Sequence, residues 1–87
     1  MTKNELRKRI LECGDAIVSY RSTNSKKLKY NVVTLDFNNP YILSKKNKVQ
    51  ESLEELVTFC WDTDSFRILK PSNITSVVPL SKVLKNG

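Results

Sequence analysis

Histidine is absent from this 87-residue chain, and with it go the usual general base and the usual Ser-His-Asp or Cys-His nucleophile arrangements. Cysteine occurs only as Cys13 and Cys60, with no CxxC or CxH spacing around either. A structural zinc site needs a full set of Cys or His ligands, which this chain alone does not supply. Both cysteines neighbour apolar residues (Ile10 and Leu11 before Cys13, Phe59 and Trp61 around Cys60), so they read as buried free thiols rather than as a disulfide. Two glycines and three prolines exclude a low-complexity chain, and no glycine-rich phosphate loop is present. No apolar run approaches the length of a membrane span, and charged residues near the N-terminus occupy the place of a signal peptide's apolar stretch. The expectation is a soluble, cytoplasmic, non-catalytic protein with no cofactor and no metal.

What the chain does have is positive charge, unevenly placed. The formal net charge is +6. Residues 1–48 carry eleven Lys/Arg against four acids, whereas residues 49–87 carry four against five. A basic half beside a near-neutral half prefers polyanions, nucleic acid first and an acidic protein surface second. Hydrophobic residues at 39% and charged residues at 28% belong to a globular chain, and the length suits one domain.

Local patterns divide that domain. Thr2-Lys3-Asn4-Glu5 has capping-box spacing, Leu6 and Ile10 recur at i, i+4 with Leu11 and Cys13 widening the stripe, and Gly14 stands where a helix stops. Residues 1–14 therefore read as a short amphipathic helix that needs a partner for its apolar stripe. Residues 15–80 switch to strands. Ala16–Arg21 is β-branched and aromatic, Ser22–Ser25 supplies turn chemistry, and Lys27–Phe37 forms the other arm of a hairpin. The apolar set of that second strand shifts from Leu28, Tyr30 and Val32 to Val33, Leu35 and Phe37, which predicts a bulge or bend inside it. Tyr41–Leu43 is a short apolar patch and residues 44–52 a polar excursion with no core position. Leu56–Asp62 alternates Val57, Phe59 and Trp61 against Thr58 and Cys60, Asp62–Ser65 turns, and Phe66–Lys70 returns. Pro71–Asn73 predicts a 3₁₀ turn, Ile74–Leu80 a closing strand and residues 81–87 a basic tail. One helix and five strands in meander order predict a mainly β, five-stranded SH3-like (Sm-like) barrel.

Three stretches carry a resemblance. They are Val18-Ser19-Tyr20-Arg21 with Lys26-Lys27-Leu28 after a polar turn, Asn31-Val32-Val33-Thr34-Leu35, and Trp61-Asp62-Thr63-Asp64-Ser65-Phe66-Arg67 followed by Ile74. In that order, over roughly residues 5–80, the chain resembles the WYL group, and most closely its small phage-encoded branch with an Sm-like SH3 β-barrel. The Trp-Tyr-Leu tripeptide itself is absent, with Thr58-Phe59-Cys60-Trp61 in its place. Asp64 stands where an arginine is common, and Pro71 lengthens the last turn. The resemblance implies a regulatory domain associated with nucleic acid and transcription, acting in a host cytoplasm if phage-encoded. It also implies a competing partner, a host protein such as RNA polymerase, for which Leu6, Tyr41 and Ile42 are candidate apolar anchors.

Candidate binding residues follow from charge and aromatic placement. Tyr20 and Arg21 end one strand and Lys26, Lys27, Lys29 and Tyr30 open the next, so one hairpin tip gathers four cations and two rings. Cations neutralise phosphates and rings offer stacking platforms; the alternative is that Tyr20 and Tyr30 pack as a cross-strand pair. Lys45, Lys46 and Lys48 form a second basic cluster, and Lys3, Arg7, Lys8 and Arg9 a third. Arg67 is either an ion-pair partner of the Asp62–Asp64 turn or a reader of an anionic ligand. Asp62 and Asp64 read as turn residues, since no third acid follows at calcium-loop spacing.

Overall fold

In the computed structural model, which describes residues 1–22, 24–47 and 49–84, the chain opens with helix α1, Lys3–Cys13. Its ends form where the local chemistry directs. The Thr2 hydroxyl accepts from the Glu5 N–H at 3.1 Å and donates to the Glu5 carboxylate at 3.1 Å. At the other end Gly14, at φ +77°, donates its N–H to the Ile10 carbonyl. Leu6 and Ile10 are fully buried, whereas Leu11 is exposed, so the buried stripe is narrower than the sequence pattern suggests.

Five antiparallel strands follow: β1 Asp15–Arg21, β2 Leu28–Thr34, β3 Leu56–Cys60, β4 Ser65–Leu69 and β5 Ile74–Pro79. They form one sheet in the order β4-β3-β2-β1-β5, so β1 lies between its hairpin partner and the last strand. The sheet is unclosed, because no pairing joins β4 to β5 among the described residues. Its narrowest joint is β2 with β3, paired only at Val33–Cys60 and Thr34–Phe59 and extended by Trp61 N–H donating to the Val32 carbonyl at 2.7 Å. No helix of the described residues is long and apolar enough to cross a membrane.

Both faces of the sheet are partly covered. On the inner face Ala16, Val18, Val33, Leu56, Cys60 and Leu69 pack with Leu6 and Ile10 of α1, which gives the short helix the partner it needs. The outer face carries an aromatic cluster instead. Phe59 meets Trp61 and Phe66 edge-on at 5.1 and 5.3 Å, and Phe66 meets Phe37 at 5.6 Å. A four-residue helix, α2 Pro40–Leu43, is capped by the Asn39 side chain and closes this cluster. Its Ile42 is buried and its Tyr41 stacks on Trp61 at 6.0 Å. Strand β3 is therefore buried on both faces, with Phe59 under α2 rather than in the α1 core.

Two sequence expectations are corrected here. Pairing of β1 with β2 runs without interruption from Asp15–Thr34 to Arg21–Leu28, so of the expected bulge or bend, the bulge is absent from this pairing. Its shift in apolar register reflects two environments: Leu28 and Tyr30 are exposed on the outer face near the hairpin tip, while Val33 reaches the inner core at its base. The irregularity lies between β1 and β5, where Ser19 pairs with Ser76 and Tyr20 with Ile74, leaving Thr75 as the extra residue. Second, the segment after β5 is not all tail, because Leu80–Leu84 form a short helix, α3. The 3₁₀ turn at Pro71–Asn73 forms as expected; residues 85–87 lie outside the described residues.

Candidate functional site

The β1–β2 hairpin tip is built by its own turn. Ser22 N–H donates to the Lys27 carbonyl at 3.0 Å and Lys26 N–H to the Ser22 carbonyl at 2.9 Å. Lys26 takes φ +56°, a left-handed conformation in which asparagine or glycine is the usual occupant. Arg21, Lys26, Lys27 and Lys29 are all exposed, and none forms an ion pair among the described residues. The Arg21 guanidinium donates to the Lys26 carbonyl at 3.3 Å, which ties it across the turn.

The two tip tyrosines part company. Tyr20 pairs with Lys29 and Tyr30 with Ser19, so alternation places the rings on opposite faces. This removes both the cross-strand tyrosine pair and a shared stacking platform. Tyr30 is 68% exposed on the outer face, two residues from the exposed Leu28. Tyr20 is half-buried, and its hydroxyl donates to Asn31 Oδ1 at 2.8 Å. Asn31, only 5% exposed, passes the contact on by donating to Asp62 Oδ2 at 2.9 Å. The other Asp62 oxygen accepts from the Val32 N–H at 3.2 Å.

The second basic cluster is largely spoken for. Lys45 lies over the Tyr41 ring at 4.9 Å and pairs with Asp64 at 2.9 Å, while the Tyr41 hydroxyl donates to the other Asp64 oxygen at 2.6 Å. The hydrogen bonds from Tyr41 and Lys45 hold the Asp64 carboxyl below its usual range, and the Asp64 contact raises Lys45. This network fastens α2 to the β3–β4 turn. Lys46 is exposed, and Lys48 lies outside the described residues. In the third cluster Lys3 and Arg7 converge on Glu51 at 2.6 and 2.5 Å, leaving Lys8 and Arg9 exposed.

Arg67 sits on β4 opposite Thr58, is exposed, and forms no ion pair with Asp62 or Asp64. The acidic turn therefore binds Asn31, Tyr41 and Lys45 rather than Arg67. As anchors for a protein partner, Leu6 and Ile42 are corrected, since both are buried. Burial pushes the Cys60 and Cys13 thiols up, and both are free cysteines. No cluster of three or more His, Cys, Asp or Glu able to hold a metal occurs among the described residues.

Two participants escaped the sequence reading. Asn31 belongs to the strand pattern, and only the fold shows that its carboxamide bridges Tyr20 and Asp62. Lys70, at the end of β4, meets Arg21 across a groove, a juxtaposition produced by the curl of the sheet that no linear spacing signals. Compared with known proteins, the chain matches no family model, no curated protein and no solved structure.

Proposed function

We propose that the chain is a small, non-catalytic regulatory domain that binds nucleic acid on the tip of the β1–β2 hairpin, with Lys8 and Arg9 of α1 as flanking cations. The observation that carries this reading is the tip itself: four exposed cations, no acid in ion-pair contact among the described residues, and an exposed ring at Tyr30. Phosphates are neutralised by such cations, and a lone exposed ring accepts a base that has left its stack. The left-handed Lys26 adds support, because strained backbone kept at a charged residue points to a role for that residue.

The finer fold reading, an SH3-like or Sm-like barrel, draws support from the place of β1 between β2 and β5 and from the 3₁₀ turn leading into β5. The WYL-like resemblance rests on the sequence stretches alone, and with it the transcriptional and phage-borne role. A host protein such as RNA polymerase is the competing partner, favoured by the exposed Leu28 beside Tyr30.

Titration with random single- and double-stranded oligonucleotides between about 50 and 200 mM salt tests the proposal. Four phosphate contacts give single strands a log–log slope near −3, from roughly −0.7 per contact. Absence of binding at the low-salt end overturns it. A host protein retained after nuclease treatment, without oligonucleotide binding, transfers the tip to the protein-partner reading.

A further inference from the structure

Strands β4 and β5 leave their facing edges unpaired, and where β4 ends the open sheet curls back toward the tip of β1. The space between is a groove of about 200 Å³ walled by the end of β1, the end of β4 and the start of β5. From this groove we infer a pocket for one nucleotide unit, in which the base lies on an apolar floor and the phosphate bridges Arg21 and Lys70. The inference rests on the proposed nucleic-acid reading and assigns it a second, more selective contact.

Charge decides the ligand's sign. Arg21 enters from one wall and Lys70 from another, and no acidic residue lines the groove. Neither cation forms an ion pair among the described residues. Ser22 and Asn73 also line it, and neither side chain makes a hydrogen bond among the described residues. A carboxamide offers both donors and an acceptor, which suits the edge of a base.

The apolar part is built by the irregularity in β5. In a regular ladder, with Ser76 opposite Ser19, Ile74 would stand opposite Arg21 on the outer face. The extra residue at Thr75 sets Ile74 opposite Tyr20 instead, and the Thr75 hydroxyl holds the distortion by donating to the Ser19 carbonyl at 3.2 Å. Bulges re-aim side chains in this way beside functional sites. Ile74 lines the groove together with Ile68 and Tyr20 while also packing against the α1 core. Asn31 is a positioning residue here, since its bond to the Tyr20 hydroxyl fixes that ring.

Size limits the occupant. Pockets for drug-sized ligands begin near 300 Å³, so a groove of about 200 Å³ takes one base or one sugar-phosphate, not two stacked bases. A base inside a duplex does not enter without leaving its stack, so the groove favours single strands.

The test is an NMR titration of the full chain with a single-stranded oligonucleotide, a duplex, a nucleoside monophosphate and inorganic phosphate, combined with affinities for Lys70→Gln and for Lys27→Gln/Lys29→Gln. Lys70 is exposed, so an unchanged melting temperature is the folding control for its variant. The expected result is that the single strand shifts the amides of Ile68, Lys70, Asn73 and Ile74 as well as the tip. Lys70→Gln then weakens single-strand binding about fivefold and duplex binding little, whereas the tip variant weakens both. Shifts confined to residues 21–30, with Lys70→Gln binding like wild type, overturn the groove and leave the tip reading standing. Groove shifts with the monophosphate but no oligonucleotide binding overturn the tip reading and support a site for a free nucleotide. Equal shifts with inorganic phosphate alone overturn the role of the base.

Discussion

At Asn31 a carboxamide occupies an inward position of β2, next to a core of Val18, Val33 and Cys60. Its cost of burial is offset by two partners, the Tyr20 hydroxyl and the Asp62 carboxylate. Asn31→Ala leaves both with an unmet hydrogen bond and should lower stability by about 1–3 kcal/mol in chemical denaturation. Asn31→Asp should cost more, because it sets a second carboxylate against Asp62. Equal stability of either variant to wild type would contradict the bridge. Phe59 and Trp61 share the outer aromatic cluster unequally. Phe59 is fully buried and Trp61 only partly, so Phe59→Ala should cost about 3–5 kcal/mol and Trp61→Ala distinctly less. The alternation of β3 set these two rings on one face with Val57, but nothing local in Leu56–Cys60 says that α1 covers one face and α2 the other.

Among the elements, α1 was the most legible, because a cap at Thr2, a stop at Gly14 and the Leu6–Ile10 spacing are all local signals. Its attachment was not. Residues 44–52 read as a polar excursion, yet Glu51 receives Lys3 and Arg7 and also accepts the Val57 N–H at 3.4 Å. The Lys3 contact, followed by the Val57 hydrogen bond, holds the Glu51 carboxyl below its ordinary value of 4.5 against the opposing effect of burial. A carboxylate depressed in the folded state stabilises the protein above its unfolded pKa and loses that contribution as pH falls through its folded pKa. Thermal melts from neutral pH into the acid range should therefore show a decline that Glu51→Gln makes shallower. The carboxyl of Asp64 is depressed in the same direction by Tyr41 and Lys45, so a residual slope is expected in that variant. An identical acid slope in both proteins would remove Glu51 as the tether. Gly14→Ala has open space for its Cβ but keeps φ +77°, and should cost about 1 kcal/mol or more through backbone strain alone.

Over the whole molecule, charge was readable and closure was not. Strand number and the helix at the start follow from local pattern and turn chemistry, whereas the narrow β2–β3 joint, the bulge at Thr75 and the meeting of Arg21 with Lys70 depend on how the sheet curls. The same limit applies to the basic clusters. Composition places eleven cations in the first 48 residues, but only the fold separates Lys3, Arg7 and Lys45, which hold the structure together, from Arg21, Lys26, Lys27 and Lys29, which face outward. On the proposed nucleic-acid reading, these tip cations make the phosphate contacts. The most direct measurement is single-strand affinity across a salt series for wild type and for Lys26→Gln/Lys27→Gln/Lys29→Gln. Loss of three contacts should flatten the log–log slope by about 2 and weaken low-salt binding at least about tenfold. A variant that binds with the wild-type slope and affinity would contradict the claim.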